Sequence, residues 1–75
     1  MPASAERRIF SPSKLRARRK AAGITCDMLG FYVGRTTSTI YNYEQGNTRP
    51  SADVAADIAR YVGCSIEDLY EDADD

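Results

Sequence analysis

Three polar side chains stand at helical spacing in the middle of the chain, and their chemistry suits contacts with base edges. Ser38, Tyr41 and Asn42 are three and four positions apart, so a helix places them on one side. Ile40 and Tyr43 then form an apolar stripe on the other side. Hydroxyl and amide groups donate and accept hydrogen bonds as base edges in a duplex groove require. These residue types indicate readout of nucleic acid by an exposed helix face.

Two short helices joined at a glycine must position that face. Thr25 is a good N-cap for the first helix, whose apolar residues recur four positions apart. Gly34 supplies the positive φ that a sharp turn between helices requires. Thr36 or Thr37 caps the second helix immediately afterwards. The stretch 25–46 therefore predicts a helix-turn-helix.

The flanking sequence predicts three further helices, which gives five helices and no strand. Ser11, followed by proline, starts a basic first helix that ends at Gly23. Ser51 caps a fourth helix with apolar residues at helical spacing. A short fifth helix begins at Ser65, where Asp68 completes a capping box. The predicted fold class is all-α, a compact five-helix domain.

Size and composition favour a binding module over an enzyme. We expect an N-terminal arm at residues 1–10, one domain at 11–70 and an acidic tail at 71–75. Seventy-five residues with 43% hydrophobic content bury too small a core to leave room for a deep catalytic cleft. The sequence has no histidine, and Cys26 and Cys64 lie far apart, so we expect no metal site and no cofactor. With neither an apolar signal segment nor a membrane-spanning run, the chain is expected in the cytoplasm.

Charge is distributed unevenly along the chain. Residues 1–49 hold nine basic and three acidic residues, a net charge of +6. Residues 50–75 hold one basic and eight acidic residues, a net charge of −7, so the total of −1 conceals a steep gradient. Such asymmetry favours nucleic-acid binding by the basic part, although a charged run is also a common solubilising surface.

With its residues in this order, the chain resembles the lambda-repressor-like helix-turn-helix family of phage repressors and Cro proteins, also called the xenobiotic-response-element family. The likeness covers roughly residues 15–69 without a gap. The matching residues are Leu15, Arg19, Gly23-Ile24-Thr25, Leu29, Val33-Gly34, Ser38-Thr39-Ile40, Glu44, Gly46, Pro50-Ser51, Gly63-Cys64-Ser65 and Leu69. The resemblance implies sequence-specific binding of double-stranded DNA by a small bacterial or phage transcriptional regulator, most simply a repressor.

The resemblance also implies roles for individual residues. Base-edge contacts are expected from Thr37, Ser38, Tyr41 and Asn42, and an asparagine suits a bidentate contact with adenine. Phosphate contacts are expected from Arg7, Arg8, Cys26, Arg35, Thr36, Asn47, Thr48 and Arg49. Cys26 replaces the usual glutamine of the family, so a phosphate there would depend on backbone amides at the helix N-terminus. In the simpler alternative, Thr37, Ser38, Tyr41 and Asn42 are merely polar surface residues of a helix.

Arg19 and Glu44 are expected to form a buried structural ion pair, because the family often pairs these positions. Such a pair would orient the first helix against the third. In the alternative, Arg19 belongs to the basic surface and Glu44 is solvated.

Three residues on the outer side of the second helix depart from the family pattern. Met28, Phe31 and Tyr32 are spaced by three and four, so they form one apolar surface. Either Ile9 and Phe10 of the arm fold over this surface, or it binds a protein partner. The competing function is therefore a protein-interaction module on the same scaffold, such as an antirepressor or an adaptor for RNA polymerase.

A homodimer is the expected oligomer, by resemblance to the family. Its contact would use Ile66, Leu69 and Tyr70 of the fifth helix, and the dimer would read a palindrome with half-sites about one helical turn apart. The acidic tail beside this contact would repel its own copy at low salt.

Overall fold

The structure, a computed structural model, describes residues 8–72. In this range the helices are α1 at Pro12–Ala21, α2 at Cys26–Val33, α3 at Thr37–Gln45 and α4 at Ala52–Val62. Two short strands enclose them in the sequence, β1 at Arg8–Phe10 and β2 at Tyr70–Asp72, and a 3₁₀ helix at Ile66–Leu69 precedes β2. None of the helices in residues 8–72 has both the length and the apolar character needed to cross a membrane.

A serine or threonine hydroxyl caps the N-terminus of each α-helix within residues 8–72. Thr25 accepts a hydrogen bond from the Met28 amide at 3.0 Å, and Thr36 accepts one from the Thr39 amide at 3.1 Å. The cap of α3 is thus Thr36, which leaves Thr37 as the first residue of the helix. Gly34 ends α2 in the left-handed conformation with φ of 74°, so α3 starts shortly beyond it.

The prediction of five helices and no strand was wrong at the C-terminal end. The expected capping box forms, since the Ser65 amide donates to Asp68 Oδ2 at 3.2 Å, but the helix that follows is a 3₁₀ helix of four residues. The chain then extends as β2, which pairs antiparallel with β1 and places Phe10 opposite Tyr70. A helix this short has little stability of its own, whereas strand pairing gives both segments partners for their backbone groups.

The core contains one large, fully buried aliphatic side chain from each helix in the described range. These side chains are Leu15, Leu29, Ile40, Ile58 and Leu69. Leu69 was predicted as a dimer contact, and that prediction was wrong because the side chain lies wholly inside its own domain. Phe10 of β1 closes the core, with edge-on contacts to the rings of Tyr43 and Tyr70.

Candidate nucleic-acid interface

Gly30 allows the turn between α2 and α3 to pass close to α2. Its carbonyl accepts a hydrogen bond from the Arg35 amide at 2.8 Å. A Cβ placed on Gly30 would lie 2.6 Å from the carbonyl oxygen of Arg35, closer than any tolerated contact. Sequence reasoning missed this residue, although a glycine inside a predicted helix is a signal of close backbone approach.

The outer side of α3 carries the four residues predicted to contact bases. Thr37, Ser38 and Tyr41 are exposed, and Asn42 is half-buried. The Asn42 side-chain oxygen accepts a hydrogen bond from Asn47 Nδ2 at 3.2 Å, which fixes the orientation of its amide. Because Ile40 and Tyr43 are buried on the opposite side, α3 is anchored along one face and presents polar groups on the other.

Residues predicted to contact phosphates stand beyond both ends of α3. Arg35 and Thr36 precede the helix, and Asn47, Thr48 and Arg49 follow it; all five are exposed. The Arg35 guanidinium donates to the carbonyl of its neighbour Gly34 at 3.1 Å. The hydroxyl of Thr36 is engaged in capping α3 and in a 2.9 Å hydrogen bond with the hydroxyl of Thr39. Cationic and polar groups therefore flank the polar face of α3 at both ends.

Of the two arginines in the predicted arm, the structure describes Arg8. Arg7 lies outside the described residues. Arg8 belongs to β1, and its guanidinium contacts β2 through the Tyr70 carbonyl at 3.2 Å and Asp72 Oδ1 at 3.6 Å. The structure therefore places Arg8 against the acidic C-terminal segment instead of beside α3.

Arg19 and Glu44 form a nearly buried ion pair between α1 and α3. Two guanidinium nitrogens of Arg19 donate to the carboxylate, one of them from Nη2 to Oε1 at 3.0 Å, and a third nitrogen donates to the Ile24 carbonyl at 2.8 Å. The side chains are 12% and 4% exposed. The hydrogen bond to Glu44 raises the pKa of Arg19. This cluster holds the C-terminal part of α3 against α1.

Cys26 faces the same cluster. Its thiol donates to Glu44 Oε2 across 3.8 Å. Burial raises the pKa of Cys26 and the negative charge of Glu44 raises it further, so the thiol stays protonated at neutral pH. Since the side chain is turned towards Glu44, a phosphate at this end of α2 would meet backbone amides instead of the thiol.

An apolar patch lies on the surface. It consists of Met28, Phe31 and Tyr32 of α2 and of Tyr61 of α4. Phe31 is 83% exposed, and the ring of Tyr32 stacks on that of Tyr61 with centroids 5.1 Å apart. The interpretation that Ile9 and Phe10 cover this surface was wrong, because the side chain of Phe10 is buried in the core. Tyr61 was also missed, since its sequence neighbours gave it no link to α2.

A known protein family and several solved structures are similar to this chain and its fold. Residues 13–71 match the model of a family described as a helix-turn-helix domain. The curated proteins give no match. Among solved structures, the chain is similar to the P22 c2 repressor protein in complex with a synthetic operator, at 28% identity and a TM-score of 0.74 over 81% of this chain and 92% of that one.

Two further structures share the fold over part of their length. The clp gene regulator ClgR from Corynebacterium glutamicum is 22% identical with a TM-score of 0.74, over 77% of this chain and 62% of that chain. FeII HppE is 25% identical with a TM-score of 0.72, but the similarity covers 84% of this chain and only 36% of HppE. The resemblance to HppE is therefore to a minor part of that protein.

Proposed function

The chain belongs to the lambda-repressor-like helix-turn-helix family, and from that premise we propose that it binds specific sequences of double-stranded DNA as a transcriptional regulator. The observation that carries the proposal is the two-sided character of α3. One face is locked into the core and the other presents exposed hydroxyl and amide groups. The similarity to a repressor solved with its operator supports the same function.

In the proposed mechanism, α3 enters the major groove and its outer face reads bases. Asn42 pairs with the donor and acceptor edge of an adenine, and Ser38 and Tyr41 contact neighbouring base pairs. The hydrogen bond from Asn47 holds the side-chain amide of Asn42 in one orientation. Since a good bidentate contact contributes about 1–3 kcal/mol of discrimination, Asn42 would supply much of the sequence preference.

Phosphate contacts fix the position of α3 in the groove. Arg35 at one end of the helix and Arg49 at the other are exposed cations on opposite sides of the reading face. Contacts of this kind set the register without reading sequence. Occupation of a promoter by the bound domain would block transcription, which makes repression the simplest regulatory outcome.

A two-fold dimer on a palindromic site is part of the proposal. Because Leu69 is buried, the surface left for the contact contains the half-buried Ile66 and Tyr70. Two copies related by a two-fold axis would place their α3 helices in successive major grooves, about 34–36 Å apart.

Selection of bound sequences from a random DNA pool, followed by fluorescence anisotropy at several salt concentrations, tests the proposal. The double variant Asn42→Ala with Arg49→Ala should bind the selected site roughly tenfold more weakly or worse, from the lost base contact alone. The loss of one phosphate contact in each bound copy should also reduce the slope of log affinity against log salt by about 0.9 per copy. Arg60→Ala is the matched control, because it removes an exposed arginine of α4 outside the interface. Unchanged binding by the double variant would show that α3 is not the reader.

Phe31 favours a second candidate function, a protein-interaction module. Phe31 is 83% exposed and adjoins the stacked pair of Tyr32 and Tyr61, and a contiguous apolar patch of this kind is a common feature of protein-binding surfaces. An antirepressor or an adaptor for RNA polymerase would use this patch. Phe31→Ser separates the two functions. It should leave operator affinity unchanged under the first proposal, and it should abolish regulation in a reporter assay under the second.

A further inference from the structure

A hydrogen bond joins the N-terminal turns of α2 and α3. The hydroxyl of Thr37, the first residue of α3, donates to Oδ1 of Asp27, the second residue of α2, at 2.7 Å. Both residues are exposed. N-terminal residues of a recognition helix are the ones that reach base edges, so this bond lies at the leading end of the proposed reading face.

The bond to Asp27 limits what Thr37 offers to a base. A threonine hydroxyl carries a single proton, and in this structure the proton is directed to a carboxylate. Thr37 therefore has no donor left for the acceptor atoms of guanine or adenine. Its β-branched side chain has few rotamers, and the bond to Asp27 selects one of them. The methyl group remains as the apolar branch of the side chain.

The apolar group that bases display in the major groove is the C5-methyl of thymine. From this chemistry, and resting on the proposed function, we propose that Asp27 is a positioning residue that makes Thr37 a reader of thymine methyl groups. The carboxylate of Asp27 accepts the hydrogen bond from the Thr37 hydroxyl, and the methyl branch of Thr37 contacts the base. The sequence preference at this position then depends on a residue of α2 that touches no base.

The negative charge of Asp27 opposes DNA binding, and this opposition distinguishes a positioning role from a purely structural one. Its carboxylate stands at an end of α2 where phosphates are expected, so it repels the DNA backbone of every sequence. Removing it should therefore strengthen binding to unselected DNA and, at the same time, weaken the preference for thymine. An acidic residue that only stabilised a helix N-terminus would change the stability of the domain without changing base preference.

Uracil substitution in the selected site measures the methyl contact directly. Each thymine is replaced in turn by uracil, which lacks only the C5-methyl, and the dissociation constant is measured by fluorescence anisotropy. In the wild-type protein, one thymine of each half-site should be sensitive. Its replacement alone should weaken binding about fourfold, the effect of one lost methyl burial. Thr37→Ser should abolish the sensitivity at that thymine, because serine keeps the hydroxyl and loses the methyl. Thr37→Val should keep the sensitivity, because valine carries a methyl group at both branch positions and so needs no hydrogen bond to orient it.

Variants of Asp27 test the positioning role. Asp27→Ala should remove most of the uracil sensitivity, whereas Asp27→Asn should keep it because the amide oxygen still accepts a hydrogen bond from the Thr37 hydroxyl. Asp53→Ala is the matched control, since Asp53 is likewise the second residue of its helix, α4, and should leave the sensitivity unchanged. Circular dichroism of each variant checks that it is folded.

Three results would overturn the inference. An equal uracil effect in Thr37→Ser and in the wild type would show that other residues make the methyl contact. Full sensitivity in Asp27→Ala would show that the bond to Asp27 is irrelevant. Loss of a cytosine preference in that variant would show that Asp27 itself contacts a base. In each of these cases the wild type still selects a site, whereas failure to select any sequence would overturn the proposed function and this inference together.

Discussion

At the residue scale, Glu44 of α3 is the acceptor on which side chains from two other helices converge. Arg19 of α1 and Cys26 of α2 both donate to its carboxylate. With 4% of its side chain exposed, the carboxylate has little access to water. A charge in that position is tolerated because it is paired and hydrogen-bonded.

Removal of this carboxylate should destabilise the domain strongly. We expect Glu44→Ala to lower the free energy of unfolding by about 3–5 kcal/mol, because the guanidinium of Arg19 is left nearly buried without its partner. Urea denaturation measures the change. The control is Arg18→Ala, which breaks the exposed 3.6 Å pair between Arg18 and Asp68 and should cost less than about 1 kcal/mol. Equal losses in the two variants would contradict the structural role of Glu44.

At the element scale, the angle between α2 and α3 depends on a close backbone contact as well as on the packing of Leu29 and Ile40 in the core. The α2–α3 turn folds back so closely that Gly30 of α2 meets the carbonyl of Arg35. This contact fixes where α3 starts, and so where its reading face lies. A second backbone contact, the pairing of β1 with β2, joins the two ends of the described chain. It places Phe10 in the core beside Tyr70.

Gly30→Ala tests the first of these contacts. In an ordinary helix this change stabilises by about 1 kcal/mol. Here the new Cβ would press on a backbone oxygen, so we expect a loss of about 2 kcal/mol in the free energy of unfolding, within the usual range for overpacking. DNA affinity should fall as well, because α3 must shift.

The control for this variant is Gly23→Ala. Gly23 has a φ of 73°, and a Cβ added to it would have no neighbouring atom within 4 Å. Alanine there therefore incurs only the backbone penalty of about 1–2 kcal/mol. The folded Gly23→Ala protein should keep its DNA affinity. Stabilisation by Gly30→Ala would refute the close approach.

Two phenylalanines test the role of β1. Phe10 is 4% exposed and Phe31 is 83% exposed. Phe10→Ala should lower the free energy of unfolding by about 3–5 kcal/mol, as truncation of a core phenylalanine does, whereas Phe31→Ala should change it by less than about 0.5 kcal/mol. Thermal denaturation of the two variants makes the comparison. A small effect at Phe10 would mean that β1 is dispensable for the core.

At the scale of the whole molecule, the charge gradient separates a basic part from an acidic part. Residues 1–49 carry a net charge of +6 and residues 50–75 one of −7. The basic part contains the proposed DNA interface, and the acidic part contains Ile66 and Tyr70, the residues left for a dimer contact. Salt should therefore act in opposite directions on the two associations.

Self-association in the absence of DNA should strengthen as salt rises, because screening reduces repulsion between the acidic segments of two copies. DNA affinity should fall over the same range, since the release of counterions on binding is less favourable at high salt. Sedimentation equilibrium at tens of micromolar and anisotropy titrations, both from roughly 50 to 300 mM salt, measure the two trends. A protein that remains monomeric at every salt concentration, with and without operator DNA, would contradict the dimer.

Local sequence determined the four α-helices and the turn between α2 and α3. Hydroxyl caps, apolar spacing and Gly34 act within a few residues, so their effects can be inferred without a fold. The choice of α3 as the polar-faced helix follows from the same spacing. The residues also match those of a known family at the same spacing. This match extended the interpretation to a candidate DNA interface.

The tertiary structure alone decided the strand pair and the bond between Thr37 and Asp27. Each depends on residues distant in the sequence: β1 and β2 come from the two ends of the described chain, and Asp27 lies ten residues before Thr37. Local propensity carries no information about such partners, because the free energy that favours them comes from contacts that exist only after the chain has folded. The same holds for Phe10, which local sequence placed in an arm and the folded core buries.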